Sequence, residues 1–198
     1  MRPGEEDKAL ADFSLLRRQP PKVLARRSLK ASIFTVEELD LEFSNGTRRT
    51  YDRLYGGPGA VLAVPFDGRD FLFSVEYACG FERYELSFVK GKIDPGETPG
   101  QACARELGEE LGFGARSIVP LRDCISTAPG MMSLKMYSFL CTDLYRHEVT
   151  GGDEPEPVDL IRVSLEEARP LLFDEHSPLT ESRSIASLLL AMHKLGAL

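Results

Sequence analysis

The segment from Gly91 to Phe113, GKIDPGETPGQACARELGEELGF, constrains this chain more than any other, because it specifies a loop and a helix almost residue by residue. Thr98 is a good helix N-cap, Pro99 suits the first helical position, and Gln101 completes a capping box. The spacing predicts a helix running to about Leu111, with Gly112 as its C-terminal stop. Gly91 and Asp94-Pro95-Gly96 bound a tight loop entering the helix, and Glu97 is placed to reach Arg105 and fix the loop against it. At about 100° per residue, Glu106, Glu109 and Glu110 share one face, beside a buried stripe of Cys103, Ala104, Leu107 and Leu111.

Three carboxylates on one helical face repel one another, and acids near a helix C-terminus oppose the macrodipole, each at a cost of a few tenths of a kcal/mol. A solvated acidic face is the bland reading of any such trio. A hard divalent cation, Mg²⁺ or Mn²⁺ as a substitute, gives the arrangement a purpose, because clustered carboxylate oxygens are its preferred ligands and it binds substrate phosphates at the same time.

The rest of the chain reads as strands with two closing helices. Residues 1–30 read as a leader with an acidic start and a basic arm (Arg17, Arg18, Lys22, Arg26, Arg27, Lys30), solvated and partly ordered. Residues 31–57 read as a small antiparallel β subdomain: Leu39, Leu41 and Phe43 alternate with Asp40 and Glu42, Asn45-Gly46 offers a type I′ turn, and Thr47 to Tyr55 returns. Gly56-Gly57-Pro58-Gly59 is expected to be a linker to a main domain at 58–198. There, strands are expected at 60–65, 71–77, 84–89, 117–121, 125–127, 134–141 and 157–163. A capping box at Ser164 and an apolar periodicity over 181–195 announce the helices.

Composition narrows the function classes. Twenty-four Lys and Arg against thirty-one Asp and Glu give a net charge of -7, which disfavours nonspecific binding to nucleic acid. Cys79, Cys103, Cys124 and Cys141 stand in no C-x-x-C spacing and read as reduced thiols. His147, His176 and His193 lack zinc spacing, and no G-x-S-x-G marks a serine nucleophile. With no signal peptide and no apolar run of membrane-spanning length, no membrane partner is expected and the chain reads as cytoplasmic.

Gly91, Glu97, Arg105-Glu106-Leu107, Glu109-Glu110 and Gly112-Phe113 match every defined position of the Nudix box. From about Ile33 onward the chain resembles the ADP-ribose pyrophosphatase branch of the Nudix hydrolases, with LDLEFSNG, ELSFVKGKIDPGE and GGDEPEP the most similar segments. The resemblance implies an α/β fold: a Nudix α/β/α sandwich with a mixed sheet, preceded by a small antiparallel N-terminal subdomain that is often exchanged across a homodimer. It implies that Glu106, Glu109 and Glu110 ligate Mg²⁺, with the Lys90 carbonyl as a further oxygen, while Gly91, Glu97, Arg105 and Gly112 are structural in the motif.

Other candidates follow from the same resemblance. Such enzymes place a catalytic base in the loop that here reads Gly151-Gly152-Asp153-Glu154-Pro155-Glu156-Pro157; Glu156 is preferred, then Glu154, with a box glutamate such as Glu109 as a further proton acceptor. Glu85 is a candidate for the metal or substrate shell, with a structural salt bridge as its alternative. Pro129, sixteen residues beyond Phe113, corresponds to a proline of ADP-ribose-type members, although a Pro-Gly pair is also ordinary turn chemistry. Tyr77, Phe81 and Tyr84 could stack adenine or fill the core. Ala78 stands where some ADP-ribose hydrolases carry an arginine, so substrate recognition is expected to differ in detail.

The expected activity is Mg²⁺-dependent hydrolysis of the pyrophosphate bond of ADP-ribose, NADH or diadenosine polyphosphates, a small-molecule substrate class, with release of AMP. Two alternatives stand beside it: a GDP-sugar pyrophosphatase, and a catalytically silent nucleotide-sensing regulator. A complete box argues against the second, since a silent module is free to lose Arg105 or any of the three glutamates.

Overall fold

A computed structural model of the protein describes residues 14–147 and 156–198. The chain divides into two compact units, Met1–Leu54 and Tyr55–Leu198. Among the described residues no helix is long and apolar enough to cross a membrane.

In the first unit a short 3-10 helix (Ser14–Arg17) precedes strands β1 (Lys22–Lys30), β2 (Thr35–Glu42) and β3 (Arg48–Leu54), paired antiparallel in that order. The basic stretch expected as a solvated leader is therefore, from Lys22 onward, a strand of this sheet. The cause is charge complementarity across strands. Arg26 and Arg53 both reach Glu37, at 3.2 and 2.7 Å, while Arg27 forks onto Asp40 at 2.8 and 2.9 Å and also binds Glu38. The β2–β3 connection also differs from the expected type I′ turn. Of the Asn45-Gly46 pair, Gly46 alone has a positive φ, 81°, and Phe43 exchanges hydrogen bonds with Gly46 and Thr47 around the loop Ser44-Asn45-Gly46.

The second unit contains β4 (Ala60–Pro65), β5 (Asp70–Ala78), β6 (Arg83–Ser87), β7 (Val89–Lys92), α1 (Pro99–Leu111), β8 (Phe113–Ser126), β9 (Lys135–Arg146), β10 (Asp159–Ser164), α2 (Leu165–Phe173) and α3 (Ser182–Lys194). One sheet runs β7-β4-β9-β8, with β4 parallel to β9 and the other pairs antiparallel; a second runs β10-β5-β6. Alternation along β4 sets the layers. Val61 and Ala63 pack with Ala102, Leu107 and Leu111 of α1, whereas Leu62 and Val64 pack with Leu188, Ala191 and Met192 of α3. The mixed sheet is thus sandwiched between helices, as the resemblance implied.

Three local expectations are corrected. The run 84–89 divides at Phe88 between β6 and β7, which belong to different sheets. The runs 117–121 and 125–127 join into the single strand β8, whose register shifts between Pro120 and Ile125 absorb the polar interruption. Gly56 is no free linker residue: a Cβ there would lie 2.3 Å from the Leu134 backbone, and its N–H donates to Ser133 Oγ at 3.0 Å.

Candidate active site

Helix α1 forms as its sequence predicts. Thr98 caps it in a complete box with Gln101, and Gly112 ends it in the left-handed conformation at φ 68°. Its buried side is Ala102, Cys103, Glu106, Leu107, Gly108 and Leu111, so Ala104, expected in the buried stripe, is only half-buried. Glu106 belongs to the buried side although it is an acid, while Glu109 and Glu110 lie at its margin, half-buried.

Arg105 organises the acids. Its Nε donates to Glu97 Oε1 at 2.9 Å, its Nη2 to Glu97 Oε2 at 3.1 Å and to the Lys92 carbonyl at 2.9 Å, and its Nη1 to Glu106 and Glu109, each at 2.9 Å. Glu97 in turn accepts from the Asp94 N–H at 3.1 Å, so loop, strand β7 and helix are tied at one guanidinium. The hydrogen bond from Arg105 holds the Glu97 carboxyl below its ordinary range, and the carboxylates, Glu97 foremost, raise the Arg105 pKa further. The expected Glu97–Arg105 clasp is present, and Lys92, which the sequence did not single out, is its third partner.

Gly91 lies directly against Glu106. A Cβ at position 91 would sit 1.7 to 2.2 Å from the Glu106 carboxyl atoms, so glycine is required by close approach. The cradle therefore presses a carboxylate onto strand β7 beside the Lys90 peptide.

The donors suit a hard divalent cation: carboxylate oxygens on adjacent turns of one helix, one seated against exposed backbone. The trio is not preassembled, for Glu106 and Glu109 both point at Arg105, and among the described residues no group of three or more His, Cys, Asp or Glu stands at ligand spacing. The residue types and the cradle fit such a cation.

The remaining candidates separate by location. Glu85, on β6, bonds to Arg83 at 2.6 Å and to Thr180, and Thr180 and Arg83 hold its pKa down; this is the salt-bridge alternative for that residue. Tyr77 and Tyr84 face each other across β5 and β6 with ring centroids 5.7 Å apart, and both are more than half exposed, as is Phe81. They are not core residues. Tyr84 donates to Glu156 Oε1 at 2.6 Å, a bond that raises the phenol pKa and joins the preferred base to the aromatic pair. Glu154 lies outside the described residues. Pro129 is exposed in a turn in which the Ala128 carbonyl accepts from Met131 and Met132 N–H groups. The Lys90 side chain is drawn into a network of Glu76, Ser87 and the Phe88 carbonyl that sequence reading missed. No local pattern announces it, because Glu76 reaches Ser87 and Lys90 only through the pairing of β5 with β6.

Residues 57–182 match the NUDIX domain family, and residues 21–53 match the NudE-type Nudix hydrolase N-terminal domain. The chain is 43% identical over 174 residues to the ADP compounds hydrolase NudE of Escherichia coli (strain K12), covering 87% of this chain and 91% of that protein. It is 30% identical over 138 residues to the ADP-ribose pyrophosphatase of Bacillus subtilis (strain 168), covering 69% and 73%. A crystal structure of an ADP compounds hydrolase superposes with a TM-score of 0.81 at 40% identity, over 91% of this chain and 98% of the other.

Proposed function

As a Nudix pyrophosphohydrolase, to which family this chain belongs, the protein is an enzyme, and we propose that it hydrolyses the diphosphate of ADP-linked compounds such as ADP-ribose, NADH or diadenosine polyphosphates, releasing AMP. The observation that carries this reading is the Arg105 hub, which gathers Glu97, Glu106 and Glu109 around the Gly91 cradle. Glu106, Glu109 and Glu110, with the Lys90 carbonyl, would hold Mg²⁺, for which Mn²⁺ would substitute. A divalent cation held there would supply neutralisation of the diphosphate charge and a more acidic water.

The chain's own groups supply the rest. Glu97 and Arg105 keep the loop and helix in register, so that the acids of adjacent turns face one space. Glu156 accepts the proton of the attacking water as its oxygen bonds to one phosphorus, and the bridging P–O bond breaks with its electrons on the departing phosphate. From ADP-ribose the products are AMP and ribose 5-phosphate. The exposed rings of Tyr77 and Tyr84 offer a stacking surface for adenine, and the 2.6 Å bond from Tyr84 keeps Glu156 beside it.

The enzyme acts in the cytoplasm as a homodimer. Support for association is the apolar surface of the N-terminal sheet unit, where Leu29, Ile33 and Phe34 are 70%, 74% and 50% exposed. Sedimentation at micromolar concentration tests it, a monomer being the contrary result.

The test of the activity is AMP release from ADP-ribose, NADH, diadenosine triphosphate and a GDP-sugar, with and without Mg²⁺, beside a Glu156→Gln variant. Metal-dependent release from the adenine compounds, lowered about a hundredfold or more in the variant, is expected. Preference for the GDP-sugar, or nucleotide binding without turnover, would replace this reading.

A further inference from the structure

Phe88 is fully buried and falls between two ladders: Ser87 ends β6 opposite Ser74, and Val89 opens β7 opposite Ala63. A buried peptide outside any ladder needs other partners. The Phe88 N–H donates to Ser184 Oγ of α3 at 3.1 Å, and the Phe88 carbonyl accepts from Lys90 Nζ at 3.0 Å. The same ammonium donates to Ser87 Oγ at 2.7 Å and lies 3.5 Å from Glu76 Oε2, while the hydroxyls of Ser74 and Ser87 donate to Glu76 Oε1.

The Lys90 side chain is only 18% exposed, which is unusual for lysine and costly in rotamer entropy. Its placement has a structural consequence at the neighbouring residue. Gly91 is the cradle for the Glu106 carboxylate, and at the far end of β7 the Lys92 carbonyl is held by Arg105. The strand is four residues long, pinned at its start by Lys90 and at its end by Arg105.

We propose that the Lys90 side chain is a positioning residue of the active site: by closing the Phe88 carbonyl and pairing with Glu76, it fixes β7 at the height that seats Glu106. The inference rests on the reading that Glu106, Glu109 and Glu110 hold a divalent cation. It assigns the ammonium to the protein's own backbone rather than to the substrate's phosphates, because contact with an anionic substrate requires Nζ to leave partners it already has.

Lys90→Met and Ser184→Ala remove the partners of the Phe88 carbonyl and of the Phe88 N–H, and are compared in one experiment. Amide hydrogen exchange of residues 89–92 reads the strand directly, without turnover. The Mg²⁺ concentration for the half-maximal rise in melting temperature reads the site. Both variants are expected to speed exchange at 89–92. Lys90→Met is expected to raise the half-effective Mg²⁺ concentration about tenfold, the worth of one hydrogen bond to a charged group, with the KM for ADP-ribose at saturating Mg²⁺ unchanged.

Unchanged exchange, or a raised KM with an unaltered Mg²⁺ response, overturns the proposal, the second result making Lys90 a substrate contact. Should Lys90→Met fail to fold, Glu76→Gln decides, since it removes the partner that holds Lys90, and protected β7 amides in that variant also overturn the proposal. A wild-type protein whose melting temperature ignores Mg²⁺ counts against the metal reading instead, and the exchange arm still decides whether Lys90 pins the strand.

Discussion

The N-terminal sheet and the mouth of helix α1 are both built from arginines and carboxylates, but in different proportions. In the sheet, Arg26, Arg27, Arg48 and Arg53 meet Glu37, Glu38, Asp40 and Glu42, four cations to four acids. At α1 the single guanidinium of Arg105 meets Glu97, Glu106 and Glu109, with Asp94 at 3.9 Å and Glu110 one residue beyond. Balanced pairs between strands are a device for register and solubility. At α1 the carboxylates outnumber the guanidinium that gathers them, which is what the proposed cation site calls for and what the sheet does not show.

The comparison breaks first at the acids themselves. Glu110→Gln and Glu106→Gln are each expected to lower kcat by about a hundredfold or more while the protein stays folded, checked by steady-state kinetics beside circular dichroism. Gly91→Ala should follow: its Cβ enters the Glu106 carboxylate, so activity falls and unfolding in urea shows a loss of about 1–3 kcal/mol. Arg105→Lys keeps the charge but cannot serve Glu97, Glu106, Glu109 and the Lys92 carbonyl at once. A stability loss of about 2 kcal/mol is expected in the same assay.

Acid sharpens the contrast. The Glu97 pKa is lowered from 4.5 by Arg105, so its contribution to stability is complete above that value and is lost as pH falls through the folded-state pKa. A Glu97→Gln variant should therefore show a shallower fall in melting temperature below pH 4.5 than the wild type. Smallest of all, Arg27→Ala cuts exposed pairs on the sheet and should leave kcat unchanged and the melting temperature nearly so.

What the sequence disclosed depended on how local the cause was. Helix α1 was legible to its caps because Thr98, Pro99, Gln101 and Gly112 act within a turn of where they stand. The Glu97–Arg105 clasp was legible for the same reason, eight residues being two turns and a loop. Lys22–Lys30 was misread as a leader because its pairing depends on acids of β2, more than ten residues on, and a run of arginine alone resembles a solvated arm. The Phe88 junction was not legible, since Ser184 lies ninety-six residues away and only the closing of α3 onto the sheets brings it there, and the Lys90 network was not, since it depends on the β5–β6 pairing that brings Glu76 beside Ser87. The aromatic residues of β5 and β6 left stacking and core both open in the sequence, because their exposure depends on where pairing stops: β10 covers β5 only as far as Val75, and β6 is an edge strand, so Tyr77 and Tyr84 stay exposed.

The most direct test of the central claim, that the acid surplus at α1 exists to hold a divalent cation, is a Mg²⁺ titration by calorimetry of wild type and Glu106→Gln without substrate. Saturable binding in the wild type that the variant loses or weakens at least about tenfold is the expected result. Equal binding by both proteins, or none by the wild type, would contradict it.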